Sequence, residues 1–241
     1  LCEAAGAIAA IFPLVAAHPS RSLAPVSPSR AYRDAVWEGV PELGTPPHAA
    51  LRERFLLERL QRERERTGRP PRVLDAGCGE GWFAAALARA GAEVVALDAA
   101  AEAVRRTLAR HPGLDARVAD CEAGLPLADA SFDAVWAGET IEHVADTAGC
   151  LSELRRVLRS GGSLLLSTPG HGPLTRLRLG LARGAFEARF DPRADHLRFY
   201  TRRSLYDLLA DFRFEDVEVL GAGGLPGARA VLLASGRRSR F

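Results

Sequence analysis

Three groups of residues in this chain have the types and spacing to do chemistry. The first is the loop Asp75-Ala76-Gly77-Cys78-Gly79-Glu80-Gly81, entered by a short apolar run and left by a helical pattern. Glycine permits positive φ and lets a backbone approach a ligand closely, so Gly77, Cys78, Gly79 and Gly81 read as a cradle. The second is a pair of acids at the ends of the next two predicted strands. Asp98 stands 21 positions after Gly77, where a carboxylate can accept both ribose hydroxyls, and Asp120, followed by Cys121, stands where an adenine edge would lie. The third is Gly138-Glu139-Thr140-Ile141-Glu142-His143. Its three titratable groups have i, i+3, i+4 spacing, which predicts a shared face on a helical turn.

Spacing separates the nucleotides such a loop could hold. A dinucleotide fingerprint runs G-x-G-x-x-G and sets a helix N-terminus against pyrophosphate. This loop runs G-x-G-x-G behind Asp75. A carboxylate there repels pyrophosphate but suits the ammonium group of S-adenosylmethionine, which argues against a dehydrogenase. Methyl transfer from a sulfonium is an in-line displacement, so alignment supplies much of the rate. A base contributes about 10²–10⁴-fold where the acceptor is a hydroxyl. His143 is the candidate base and Glu142 its carboxylate neighbour.

The elements that must position these groups alternate. Residues 72–75, 93–97, 117–119, 132–137 and 163–167 read as strands, with helices at 82–90, 102–110 and 147–158 between them. Helix 203–211 and strands 214–220 and 228–234 complete the pattern. Repeated βα units imply a doubly wound α/β fold. A mostly parallel, seven-stranded sheet is expected, with an antiparallel final strand after the Gly-Gly-Leu-Pro-Gly turn. Residues 1–30 read as a tail and linker, 31–70 as an N-terminal helical lid, and 71–236 as the core. The core carries an acceptor-side insertion at about 170–203, and 237–241 read as a basic tail.

Composition bounds the rest. Hydrophobic residues are 47% and charged residues 26% of 241, as in an ordinary globular protein. Lys, Asn and Met are absent, which fits GC-rich coding pressure and makes the Arg content poor evidence for phosphate recognition. A net charge of +2 favours neither nucleic acid nor an anionic membrane. The Arg-Glu-Arg-Glu-Arg run at 62–66 reads as a solvated helix face. Cys2, Cys78, Cys121 and Cys150 form no C-x-x-C pair, which points to a reducing, cytoplasmic setting. The apolar run 1–17 has no basic flank and is too short to span a bilayer.

At residues 75–81, 96–98, 119–120, 132–146 and 154–169 the chain resembles the class I S-adenosylmethionine-dependent methyltransferases, over roughly residues 50–235. The resemblance implies a Rossmann-like fold. It assigns the methionine part to Asp75, Gly77 and Gly79, the ribose to Asp98 and the adenine to Asp120 with Cys121; Gly138 would line the same hollow. E-x-x-E-H is similar to a metal motif of the small-RNA 3′-terminal ribose methyltransferases and of some ubiquinone-pathway O-methyltransferases. On that reading Glu139, Glu142, His143 and His196 would hold Mg²⁺, Mn²⁺ or Zn²⁺. A plain pocket role for these residues is the alternative. The acceptor, a small molecule or glycan, is expected against Tyr32, Trp37, His171, His196, Arg198 and Tyr200. The other readings are a cofactor-binding protein without turnover and an RNA ribose methyltransferase. No separate RNA-binding module is present, and the sequence carries no signal for an oligomeric state.

Overall fold

The structure is a computed structural model that describes residues 28–39, 41, 44–191 and 194–239, with side chains from residue 33 onward. The apolar run 1–17 lies outside the described residues. Two helices lead into the core, α1 (Pro28–Gly39) and α2 (Ala49–Thr67). Residues 28–30, expected to be linker, are thus already helical. Then follow β1 (Arg72–Ala76), α3 (Trp82–Arg89), β2 (Glu93–Asp98), α4 (Ala101–Arg110), β3 (Asp115–Val118), β4 (Phe132–Gly138), α5 (Thr147–Val157) and β5 (Leu158–Pro169). The chain ends in α6 (Pro173–Leu181), α7 (Ala185–Arg189), α8 (Arg202–Asp211), β6 (Phe214–Ala222) and β7 (Val231–Arg238).

The seven strands form one sheet in the order β3-β2-β1-β4-β5-β7-β6. β1 to β5 pair in parallel, and β7 runs antiparallel to both its neighbours. This is the expected fold. The order turns back at β1 and β4, and in such sheets ligands collect outside the strands' carboxyl ends at that switch.

Strand alternation builds two cores. Leu74, Val135, Ala137, Leu164 and Leu166 pack with Leu151 and Leu154 of α5 and Leu205 and Leu209 of α8. Val73, Ala134, Trp136 and Leu165 face the other way, onto Phe55, Leu56 and Leu60 of α2 and Phe83 and Leu87 of α3. Covering both faces is what makes β4 almost continuously buried. Truncating one of these leucines to Ala would cost about 2–5 kcal/mol.

Charged side chains are also buried away from the expected site. Glu63, inside the run at 62–66, is 1% exposed, and it accepts from Ser163 Oγ at 2.6 Å and from Arg66. Arg237 and Arg238, expected in a loose tail, are the last residues of β7. Arg237 donates to the Gly161 carbonyl and Arg238 to the Arg155 carbonyl. Their strand forms because Ser163 of β5, 74 positions upstream, is Arg237's register partner.

Candidate active site

β1 delivers Asp75 to the sheet's carboxyl edge, where it is 1% exposed and its Oδ2 has no hydrogen-bond partner among the described residues. Burial, joined by the charge of Asp98, pushes this carboxyl up to about 7 against the pull of Arg52 and the Ala84 N–H. Gly77 follows with φ +82°, and a Cβ there would collide with the Thr140 hydroxyl. That hydroxyl donates to the Ala76 carbonyl at 3.0 Å, so the loop after β4 is pinned on the loop after β1. At the end of β4, a Cβ on Gly138 would stand 2.6 Å from the Trp136 ring and 2.7 Å from the Arg52 guanidinium. At both positions a side chain is excluded by close packing, of Thr140 on Gly77 and of Trp136 and Arg52 on Gly138.

Asp98 ends β2 and accepts the Gly79 N–H and the Ala100 N–H, each at 2.9 Å. It thereby fixes the cradle's shape, and burial raises its pKa. Asp120 follows β3. Its Oδ1 accepts from the Glu122 N–H and from Arg33 at 3.2 Å, and its Oδ2 has no partner among the described residues. Cys121 is half-buried beside it. Cys78 is buried with its thiol toward Thr107, and burial raises that thiol's pKa strongly. Gly81 stands at the N-terminus of α3.

One buried residue near these acids was not anticipated. Arg52 of α2 is buried, its Nε lacks a partner among the described residues, and its guanidinium lies over the Phe83 ring at 4.4 Å. Glu139, Glu142 and Asp75 are the acids whose charges reach it. A buried guanidinium with one unpartnered N–H beside a buried carboxylate with one unpartnered oxygen fits a zwitterion, and the methionine end of S-adenosylmethionine is one. The donor set therefore fits that cofactor. The signal was present in the spacing, since Ala49, Arg52, Phe55 and Leu56 form one buried stripe.

The segment after β4 differs from the expected helical turn. Glu139 takes φ +56°, and residues 140–143 form a tight turn in which the His143 N–H bonds to the Thr140 carbonyl. The left-handed residue and the Thr140 anchor break the helix that the spacing suggested. Glu139 instead accepts from Ser167 Oγ at 3.0 Å. Glu142, His143 and His196 come together, with one ligand atom from each lying within 4.8 Å of the others. Glu139 is not in that group.

Glu142 is 0% exposed; Oε2 accepts from Thr168 Oγ1 at 3.0 Å, and Oε1 has no partner among the described residues. Burial first, then the charge of Glu139, push it up to about 8. His143 Nδ1 is 3.1 Å from the Asp195 carbonyl and 3.4 Å from its carboxylate. Donation from Nδ1 to that carbonyl leaves Nε2 as an acceptor. Burial holds His143 below the usual imidazole range, partly offset by Asp195, and His196 stands edge-on to it at 4.7 Å.

The expected acceptor residues divide. Trp37 of α1 approaches Gly79, and its carbonyl accepts from Arg106 at 3.0 Å. α1 is further tied down by Arg33 on Asp120 and Glu122, and by Asp34, which accepts the Ala101 N–H at 2.6 Å. The Tyr32 side chain lies outside the described residues. His171 is buried, accepts from Arg189 through Nε2 and faces the Tyr200 carbonyl through Nδ1. The Tyr200 hydroxyl donates to the Ile141 carbonyl at 3.3 Å. Tyr200 thus braces its segment against the turn, and His171 ties the same segment to the end of β5. Arg198 donates to the Ala145 carbonyl at 2.6 Å, beside a cavity of about 440 Å³ whose walls include Thr147, Phe199, Tyr200 and Leu208.

Residues 74–166 match the methyltransferase domain family. The chain is 36% identical over 145 residues to the malonyl-[acyl-carrier protein] O-methyltransferase of Pseudescherichia vulneris, covering 60% of this chain and 55% of that one. It is 39% identical over 131 residues to the ubiquinone biosynthesis O-methyltransferase of Xanthomonas oryzae pv. oryzae, covering 52% and 54%. The chain thus spans about half the length of these curated relatives. Among solved structures, the phosphoethanolamine N-methyltransferase 2 of Haemonchus contortus in complex with S-adenosyl-L-methionine shares the fold with a TM-score of 0.58. Identity there is 17%, over 76% of this chain and 52% of that chain.

Proposed function

We propose, from the match of residues 74–166 to the methyltransferase domain family, that this chain is a class I S-adenosylmethionine-dependent methyltransferase acting on an oxygen of a small molecule, sugar or glycolipid head group. The observation that carries the reading is a buried acid and a buried guanidinium within reach of each other's charge, each with an atom, Asp75 Oδ2 and Arg52 Nε, that has no hydrogen-bond partner among the described residues. Asp75 takes the ammonium of the methionine part and Arg52 its carboxylate. Asp98 holds the ribose and Asp120, with Cys121, the adenine edge. The bound cofactor supplies an electrophilic methyl group. The chain's own part is to orient the acceptor beside His143, whose Nε2 is free to take the hydroxyl proton while Asp195 holds Nδ1. Trp37 closes the hollow from α1, and His196 and Arg198 line the acceptor side. The names of the two O-methyltransferase relatives support oxygen as the target.

Calorimetry with S-adenosylmethionine, followed by transfer of labelled methyl to hydroxyl-bearing acceptors, tests this. No heat and no melting shift in a folded sample would sink it, and binding without transfer would leave a cofactor-binding protein. Residence in the cytoplasm belongs to the same proposal; the free thiols of Cys78, Cys121 and Cys150 support it. Among the described residues no helix is long and apolar enough to cross a membrane.

A second reading has one observation in its favour. Glu142, His143 and His196 offer one oxygen and two nitrogens within reach of a single divalent cation, and Glu142 Oε1 is unsatisfied. That donor set suits Mn²⁺ or Zn²⁺ better than Mg²⁺. Chelation with EDTA followed by readdition of Mn²⁺ tests it. Unchanged activity at both steps would remove the metal.

A further inference from the structure

The chain's net charge is near balance, yet its cations are not evenly placed. Between residues 173 and 189 the only acid is Glu187, against Arg176, Arg178, Arg183 and Arg189. Arg189 is engaged by His171, whereas Arg176, Arg178 and Arg183 are exposed and make no ion pair among the described residues.

The same segment exposes apolar bulk. On α6, Leu174, Leu177 and Leu181 recur at i, i+3 and i+7, one stripe of the helix, while Leu179 on the opposite side is buried. Leu177 is 55% and Leu181 76% exposed. The stripe continues beyond α6. The Leu174 N–H bonds to the Gly227 carbonyl, which brings the turn carrying Leu225, 73% exposed, against the start of the helix. α7 adds exposed Phe186, which packs on Phe190 and through it on Phe199, beside His171. This face begins where β5 ends, on the sheet edge that bears His143.

We propose that α6, α7 and the turn around Leu225 form a docking surface for an anionic phospholipid bilayer. The apolar tips project from three separate segments, and Arg178 borders the leucine stripe one helical turn from Leu174 and Leu181. Leucines that enter the acyl boundary with arginines left at headgroup level is the pattern of an interfacial helix. A protein partner would have to offer a groove matched to all three segments, whereas a bilayer needs no such match. The docking stands apart from methyl transfer. Taken with the proposed function, it would bring a lipid-borne acceptor to the His143 edge.

The chain of 241 residues mixed with vesicles of equal parts phosphatidylcholine and phosphatidylglycerol should co-sediment. It should not do so with phosphatidylcholine alone, and added salt should weaken the binding. R176Q/R178Q/R183Q should lower partitioning on the order of a hundredfold, and L177Q/L181Q about tenfold or more. In L181W the new indole should shift its emission to the blue on binding. All variants should keep the wild-type melting temperature and S-adenosylmethionine affinity, so a failure of the cofactor reading is seen separately. Three results overturn the proposal: no vesicle binding by wild type, full binding by L177Q/L181Q, or saturable binding to an acidic carrier protein in place of vesicles. Vesicle binding that appears only after removal of residues 1–27 would give the face to that apolar segment, and overturns it equally.

Discussion

At the amino ends of the strands Asp133 accepts the Arg72 N–H at 2.8 Å and is paired by Arg69 and Arg159, while Glu63 is held by Ser163 and Arg66. At the carboxyl ends Asp75, Asp120 and Glu142 each keep an oxygen without a partner among the described residues. Chemically alike side chains, similarly buried, are thus satisfied at one end of the sheet and left wanting at the other. The hydrogen bonds and arginines at Asp133 hold its pKa below the usual carboxylate range, outweighing its burial; at Asp75 and Glu142 burial wins. A buried carboxylate without a partner opposes folding. Of these five acids only the three at the carboxyl ends keep such an oxygen, at the end where the proposed cofactor would supply partners.

The contrast can be broken at several points. The largest effect is expected from His143→Ala, which should lower kcat by about 10²–10⁴-fold with S-adenosylmethionine affinity unchanged in calorimetry. A drop in affinity of the same size would make His143 a pocket wall. Next, Asp75→Asn should weaken S-adenosylmethionine binding about a hundredfold or more, because on the proposed assignment it removes the anion that pairs with the cofactor's ammonium group. The same variant should raise the melting temperature of the ligand-free protein at pH 8. The sign follows from the raised pKa: the folded state prefers the neutral acid, so Asp75 costs stability once pH climbs above its unfolded pKa, up to a ceiling reached above about 7. A lower melting temperature would mean that Asp75 is a strut.

Titration gives a smaller, graded test. If, as proposed, the cofactor's cation binds ionised Asp75, affinity should fall up to tenfold for each pH unit below about 7 and level off above it. Asp75→Asn should flatten that profile. At the other end, Asp133→Asn should leave both affinity and kcat alone and cost about 1–3 kcal/mol in chemical denaturation, the lower half being expected because Arg69 and Arg159 are partly exposed. Loss of cofactor binding in that variant would dissolve the distinction between the two ends.

Much of the architecture was readable from residue patterns because its signals are local. The strand at 72–75, the alternate glycines and the helix behind them each follow from neighbours in sequence. So do Asp98 and Asp120, one βα unit apart. Three features were not local. The E-x-x-E-H spacing suits a helix, but Thr140 bonds to the Ala76 carbonyl, 64 positions away, and holds the segment as a turn. Arg52 stands between Leu51 and Glu53 in a helix crowded with charge, and only its place on the buried stripe sets it apart from Arg54. Arg237 and Arg238 look like a tail until β5 supplies a strand to pair with. In each case an interaction between distant residues overrode what the adjacent ones suggested.

The fastening of α1 has a consequence for timing. Arg33, Asp34 and the Trp37 carbonyl each join that helix to a different rim of the hollow, at Asp120, Ala101 and Arg106. On the proposed assignment a nucleoside lies between α1 and these rims, and its passage on that side would part the ties. Opening and reclosing of one short helix would then set the pace of each catalytic cycle, however fast the bond exchange itself.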